Sequence, residues 1–344
     1  GQNSLGQISQ SGGKPAPLPE VHELERQLAE LDAGAEADVQ QRIDLLNRLA
    51  WELSDTDSQR AIALSATAYD LASALPADER ARETGIAYSL RTQGYLNQRF
   101  GNYPEGLKQL TRALAIFETL NCADGLPDVY DGLAGIYAQI GNFPEALSYT
   151  QRQLAAAEQI GDKRRIANAY NNFSCVYAFT GEIERAIAVQ EQNLQSAVAT
   201  GYPRIECIAN MNLAALYLET GDPAQAREHA LAGLRWSQEA GFEVFAVYAY
   251  QTLGNVSQKL DGPLEAIHYY EQALLASRSM ESRVTESMLL FNLGRAHHTL
   301  QRFDLAIQYL QEAVAVSESI GARNELAEAD QALSIIYEEI GDPG

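Results

Sequence analysis

The residues of this chain that could do chemistry are few, and their spacing argues against most of it. Gly12-Gly13-Lys14 has the end of a phosphate-binding loop, in which backbone N–H groups cradle phosphates and a lysine reaches them. The earlier glycine such a loop needs is Ile8 here, the hydroxyl position is Pro15, and no strand pattern precedes it. His297 and His298 are adjacent, and neighbours in a helix point about 100° apart. With His268 elsewhere, they are expected to be structural or solvated, and no metal is predicted. Cys122, Cys175 and Cys207 are an odd number at no ligand spacing, which suits a reducing compartment and predicts a cytoplasmic chain. Carboxylate pairs such as Glu338 and Glu339 are unavoidable among 46 acidic residues. No nucleophile has a supporting base. The expectation is a non-enzymatic protein with no catalytic residues and no cofactor.

Charge narrows the partners. A formal net charge of −21 and a pI near 4.6 oppose encounter with a phosphate backbone or an anionic membrane surface. Arg164 and Arg165 form a basic patch at a turn, too short for a nucleic-acid footprint. No apolar run approaches the roughly 18 to 20 residues of a membrane-spanning helix. A protein or peptide partner is predicted, with no nucleic acid and no membrane.

The elements that must position any binding group are set by a repeat. Gly141-Asn142-Phe143-Pro144-Glu145-Ala146 has a counterpart forty residues earlier, Gly101-Asn102-Tyr103-Pro104-Glu105-Gly106, and others starting at Gly181, Gly221, Asp261 and Gln301. A second series, Gly161, Gly201, Gly241 and Gly321, is offset by twenty, with Asn121 and Glu281 in the remaining slots. Glycine just past a helix end adopts the left-handed conformation cheaply, and proline fits a first helical turn. The turns therefore leave helices of roughly sixteen to eighteen residues joined as antiparallel hairpins. Fixed periodicity of this length means stacked copies of one supersecondary unit.

Small residues recur where two helices must approach: Gly94, Ala134, Ser174, Ala214, Gly254, Gly294 and Ser334 on the first helix of each pair, and Gly106, Ala146, Ala186, Ala226, Ala266 and Ala306 on the second. Leu133, Phe173, Leu213, Leu253, Leu293 and Leu333 are the predicted core. Three regions follow: residues 1–19, rich in Gly, Ser, Gln and Pro, as a disordered lead; 20–80 as N-terminal helices with a degenerate first repeat; and 81–344 as the regular array, ending after one helix of an incomplete pair.

Leu-Gly or Leu-Ala, then Tyr, then Gly-Asn-Phe-Pro-Glu-Ala, then an aromatic such as Tyr269 or Tyr309, resembles the tetratricopeptide repeat. The ordinary repeat has 34 residues. The forty-residue form is similar to the repeats of spindle-orientation scaffolds, kinesin light chains and bacterial signalling arrays. The resemblance implies an all-α, right-handed superhelical solenoid of about seven helical hairpins, whose first helices line a concave groove for a peptide or partner helix. Its groove positions fall on Tyr88, Arg91, Tyr95, Asn168, Asn171, Asn172, Asn212, Tyr248, Gln251, Asn255, Phe291, Asn292 and Arg295. Asn172, Asn212 and Asn292 share one repeat position, and an asparagine amide can both donate to and accept from a peptide backbone. The lysines of a carboxylate clamp are not matched, which disfavours an acidic C-terminal tail as ligand.

Two functions remain. One is an interaction module that binds a peptide or helical segment in its groove. The alternative is a regulatory or sensory domain of a larger signalling protein, such as a cyclase, histidine kinase or transcription regulator. It is suggested by a last helix that lacks a partner and is expected to expose Leu333, Ile335 and Ile336. That face is also compatible with a homodimer.

Overall fold

The computed structural model describes residues 19–34, 38–54, 57–76, 80–201, 203–240, 243–279, 283–320 and 322–341. The lead at 1–18 with Gly12-Gly13-Lys14, the turn residues Asp55, Thr56, Ala77, Asp78, Gly241, Glu281 and Gly321, and residues 342–344 lie outside them. Among the described residues are sixteen α-helices, one 3-10 turn and no strand.

The chain divides into two compact units, 15–189 and 190–344, with the boundary inside one helix. The first holds α1 (Pro19–Ala33), α2 (Val39–Glu52), α3 (Ser58–Ala74), α4 (Arg80–Arg99), α5 (Tyr103–Thr119), the 3-10 turn Ala123–Gly125, α6 (Leu126–Gln139), α7 (Phe143–Ile160), α8 (Lys163–Phe179) and the start of α9 (Ile183–Thr200). The second holds the rest of α9, α10 (Pro203–Glu219), α11 (Pro223–Ala240), α12 (Glu243–Leu260), α13 (Pro263–Ser279), α14 (Arg283–Thr299), α15 (Phe303–Ile320) and α16 (Arg323–Ile340). Each unit is a stack of antiparallel helix pairs. Among the described residues, no helix is long and apolar enough to cross a membrane.

The repeating turn is made the same way each time. Gly141 has φ +79° and donates to the Ala138 carbonyl at 3.1 Å, and Asn142 N–H reaches back to Tyr137 O at 2.8 Å. These bonds satisfy carbonyls that the helix end would leave orphaned. The Asn142 carbonyl then accepts from Ala146 N–H at 3.0 Å to start α7, so two residues close one helix and open the next. Asn121 (φ +50°) and Gln301 (φ +57°) make the turn without glycine. One slot differs from expectation: Gly262 (φ +94°), not Asp261, is the left-handed residue before α13.

The small-residue positions set the helix spacing. A Cβ added to Gly254 would lie 2.4 Å from the Tyr270 ring, and one added to Gly94 would lie 2.6 Å from Leu110 Cγ. Ser334, by contrast, is exposed. Leu133, Leu213, Leu253 and Leu293 are at most 1% exposed, each contributing about 1.5–3 kcal/mol by burial. The last helix corrects the expectation made for it: Ile335 is exposed and Leu333 half-buried, but Ile336 is fully buried against Ala306 and Leu310.

Candidate functional site

In the 15–189 unit, α2, α4, α6 and α8 pack in succession along one face. Arg91 on α4 was expected to present itself to a ligand. It is instead 4% exposed, its Nη1 bonded to Asp128 Oδ2 at 2.9 Å and its guanidinium lying 3.9 Å over the Trp51 ring. From the first turn of α8, Arg165 grips the same carboxylate through Nε at 2.8 Å and Nη2 at 2.7 Å, and pairs with Asp162 at 3.0 Å. One buried Asp128 therefore ties three successive first helices. Burial pushes the Arg91 guanidinium below its ordinary value against the pull of Asp128. Burial also opposes the charge on Arg165, but the bonds to Asp128 outweigh it and leave Arg165 raised.

A second clasp joins α6, α7 and α8. Asn172 Nδ2 donates to Asp131 Oδ1 at 2.6 Å and to Gln153 Oε1 at 2.9 Å, and Gln153 Nε2 reaches Asp131 at 3.0 Å. The Nδ2 group of Asn172 is thus bonded within the fold. Tyr88 is half-buried edge-on to Phe117, with its hydroxyl 3.6 Å from Cys122 Sγ; burial first, then that contact, raises its pKa. Tyr95 packs on Trp51 at 5.2 Å. Asn168 is exposed, and Asn171 is half-buried. Around Tyr88 and Arg91 opens a cleft of about 1000 Å³, walled by α1, α2, α4, the 3-10 turn and the start of α8.

In the 190–344 unit a smaller cleft of about 470 Å³ gathers Asn255, Asn292 and Arg295 with Gln258, Lys259 and Tyr270. Asn255 Oδ1 accepts from the Tyr270 hydroxyl at 2.7 Å, and burial pushes that phenol up to about 12. Arg295 is exposed, its guanidinium 5.7 Å from the half-buried Phe291 ring. Tyr248 is 47% exposed on α12, and Gln251 reaches Met288 Sδ at 3.7 Å. Asn212 is half-buried on α10. His297 and His298 diverge as their spacing requires: the first is buried and stacked on Tyr309, the second bonds Glu339 at 2.8 Å.

Sequence reasoning missed Asp128, Arg165, Asp131 and Gln153 as a connected set. The signal was present: Arg91, Asp128 and Arg165 follow one another at 37-residue steps, just under one repeat.

No curated protein matches the sequence. Solved structures resemble it in fold. The apo quorum sensor NprR from B. thuringiensis superposes with a TM-score of 0.69 at 15% identity, covering 94% of each chain. A Rap protein complexed with Competence and Sporulation Factor gives 0.54 at 14%, covering 93% of this chain and 99% of that one. A Signal Transduction ATPase with Numerous Domains from Pyrococcus horikoshii, described as having a tetratricopeptide repeat sensor, gives 0.63 at 13%, covering 95% of this chain; the chain spans 50% of that protein. Residues 125–197 and 252–320 match family models of the tetratricopeptide repeat. These two stretches are tetratricopeptide repeats, and the same turn and small-residue contacts recur through the other helix pairs.

Proposed function

We propose that this protein is a non-enzymatic interaction module that binds a peptide or helical segment of a partner along the faces lined by the first helices of its repeats. The observation that carries the reading is the pair of clefts, one in each unit, whose walls include Tyr88 and Arg91 in the first and Asn255, Asn292 and Arg295 in the second. Their walls are held by bonds within the fold, so little side-chain entropy is lost on binding. The groups offer amides, guanidinium and aromatic faces, which suit main-chain recognition.

The test is to pan displayed random peptides against the full chain and remeasure the selected peptides on Tyr248→Ala with Arg295→Ala and on Trp51→Ala. Both Tyr248 and Arg295 are exposed, so their loss should leave the helical signal intact. Selected peptides should weaken on at least one of the variants. Full affinity on all of them would refute use of these faces.

A sensory role within a larger signalling protein is the second reading, favoured by the length relation to the Pyrococcus horikoshii protein. An output domain encoded next to this chain in the same reading frame supports it. A stop codon directly after residue 344 would count against it.

A further inference from the structure

The larger cleft carries a charge pattern that says more about its occupant, on the reading that these faces bind a segment. Six carboxylates and four guanidinium groups line it. Two of the four, Arg91 and Arg165, are already bonded to Asp128 beneath the wall. Asp162 is likewise committed, to Arg165 and to the N-cap of α8, and Glu23 to Arg26 and Gln27. Glu20, Glu52 and Asp124 take no ion pair among the described residues, and Asp44 accepts from Gln40 at 3.1 Å. Beside these four are two guanidinium groups outside any ion pair among the described residues, Arg48 and Arg164, of which Arg48 acts on Asp44 through its charge. Burial raises the pKa of Asp44, against the bond from Gln40 and the nearby Arg48 charge, which lower it.

An anionic ligand is the opposing reading, because Lys163, Arg164 and Arg165 open α8. The N-terminus of α8 is already filled, however: Asp162 Oδ1 accepts from Arg165 N–H at 3.1 Å. An acidic ligand would have only Arg48 and Arg164 to pair with, in a cleft that also presents Glu20, Asp44, Glu52 and Asp124. Arg91, 4% exposed, lines the cleft with its Nη1 already bonded to Asp128, so it is not counted among the groups open to a ligand. The volume of about 1000 Å³ is at the upper end for small-molecule pockets, which suits several residues of an extended segment.

We propose that the cleft between α1, α2, α4 and the start of α8 takes an extended basic segment of a partner protein, whose lysine or arginine side chains meet Glu20, Asp44, Glu52 and Asp124. The net charge of −21 steers such a segment inward and makes its arrival salt-dependent.

The test titrates the full chain by fluorescence anisotropy with three labelled peptide pools of equal length, enriched in lysine and arginine, in aspartate and glutamate, or in uncharged residues. The basic pool should bind best, and Glu52→Gln with Asp124→Asn should weaken it by about five- to tenfold. Glu118→Gln with Glu158→Gln removes the same charge from exposed sites on α5 and α7 and should leave binding within about twofold. Equal loss in both double variants would reduce the effect to overall charge and overturn the assignment of the cleft. Preference for the acidic or uncharged pool would overturn the basic segment while leaving segment binding in place. No binding by any pool would overturn both.

Discussion

Replacing Asp128 by asparagine removes the negative charge from a site where three hydrogen bonds of 2.7–2.9 Å converge from two arginines. The side chains of Arg91, Arg165 and Asp128 are 5%, 14% and 7% exposed, so water cannot take the place of the carboxylate. Breaking a buried ion pair by deleting one partner costs about 3–5 kcal/mol. Asparagine keeps a carbonyl that can still accept one of the bonds, which places the expected loss near the lower end, about 3 kcal/mol. Urea unfolding followed by circular dichroism reads the total. Repeat stacks can open in parts, so hydrogen exchange should show faster exchange concentrated in α4, α6 and α8. Arg91→Met, Asp128→Leu and Arg165→Met made together remove every charge of the clasp and should recover most of the loss. A loss in Asp128→Asn below about 1 kcal/mol, or accelerated exchange spread evenly over the unit, would refute the claim that this carboxylate ties the first helices.

Gly254→Ala should destabilise the 190–344 unit by about 1–3 kcal/mol, because the new Cβ meets the Tyr270 ring at 2.4 Å; helix propensity alone predicts a gain of about 1 kcal/mol, so a raised urea midpoint would refute the packing argument. Ile336→Ala should cost about 2–5 kcal/mol and Ile335→Ala under about 0.5, as 0% and 44% exposure require; equal midpoints would show that α16 does not pack as described. Burial, with a smaller part from Arg302, holds the pKa of His297 below its ordinary value. The unfolded chain therefore takes up this proton first, and the stability tied to neutral His297 is full above about pH 6.5 and falls as pH drops below it. In His297→Phe, which keeps the stack on Tyr309, the decline in unfolding free energy from pH 7 to about 5 should be shallower; an unchanged slope would refute it.

The repeat was legible because its signals are local. A left-handed residue after a helix is a property of one backbone position, so Gly141 and its counterparts announce the turns. The shift from Asp261 to Gly262 follows the same rule, since glycine takes a positive φ more cheaply than aspartate. Gly94 and Gly254 likewise read as close contacts from spacing alone, although the atoms they spare, Leu110 and Tyr270, lie on the partner helices.

The candidate faces were half legible. Periodicity places Arg91 and Asn172 on the first helices, but whether a polar side chain is free depends on groups one repeat away. Asp128 claims Arg91 across 37 residues, and Asp131 claims Asn172 across 41. Tyr248 and Arg295 stay exposed. Reading a repeat protein for function therefore requires pairing the polar residues of adjacent copies before counting any of them as available to a ligand.

Hydrogen–deuterium exchange of the full chain, with and without a peptide selected by panning, tests the central claim most directly. Binding along the first helices should slow exchange in α2, α4 and α8, or in α12 and α14, and leave α5, α7, α13 and α15 unchanged. Protection confined to those second helices, with the first helices exchanging as in the free protein, would contradict the account.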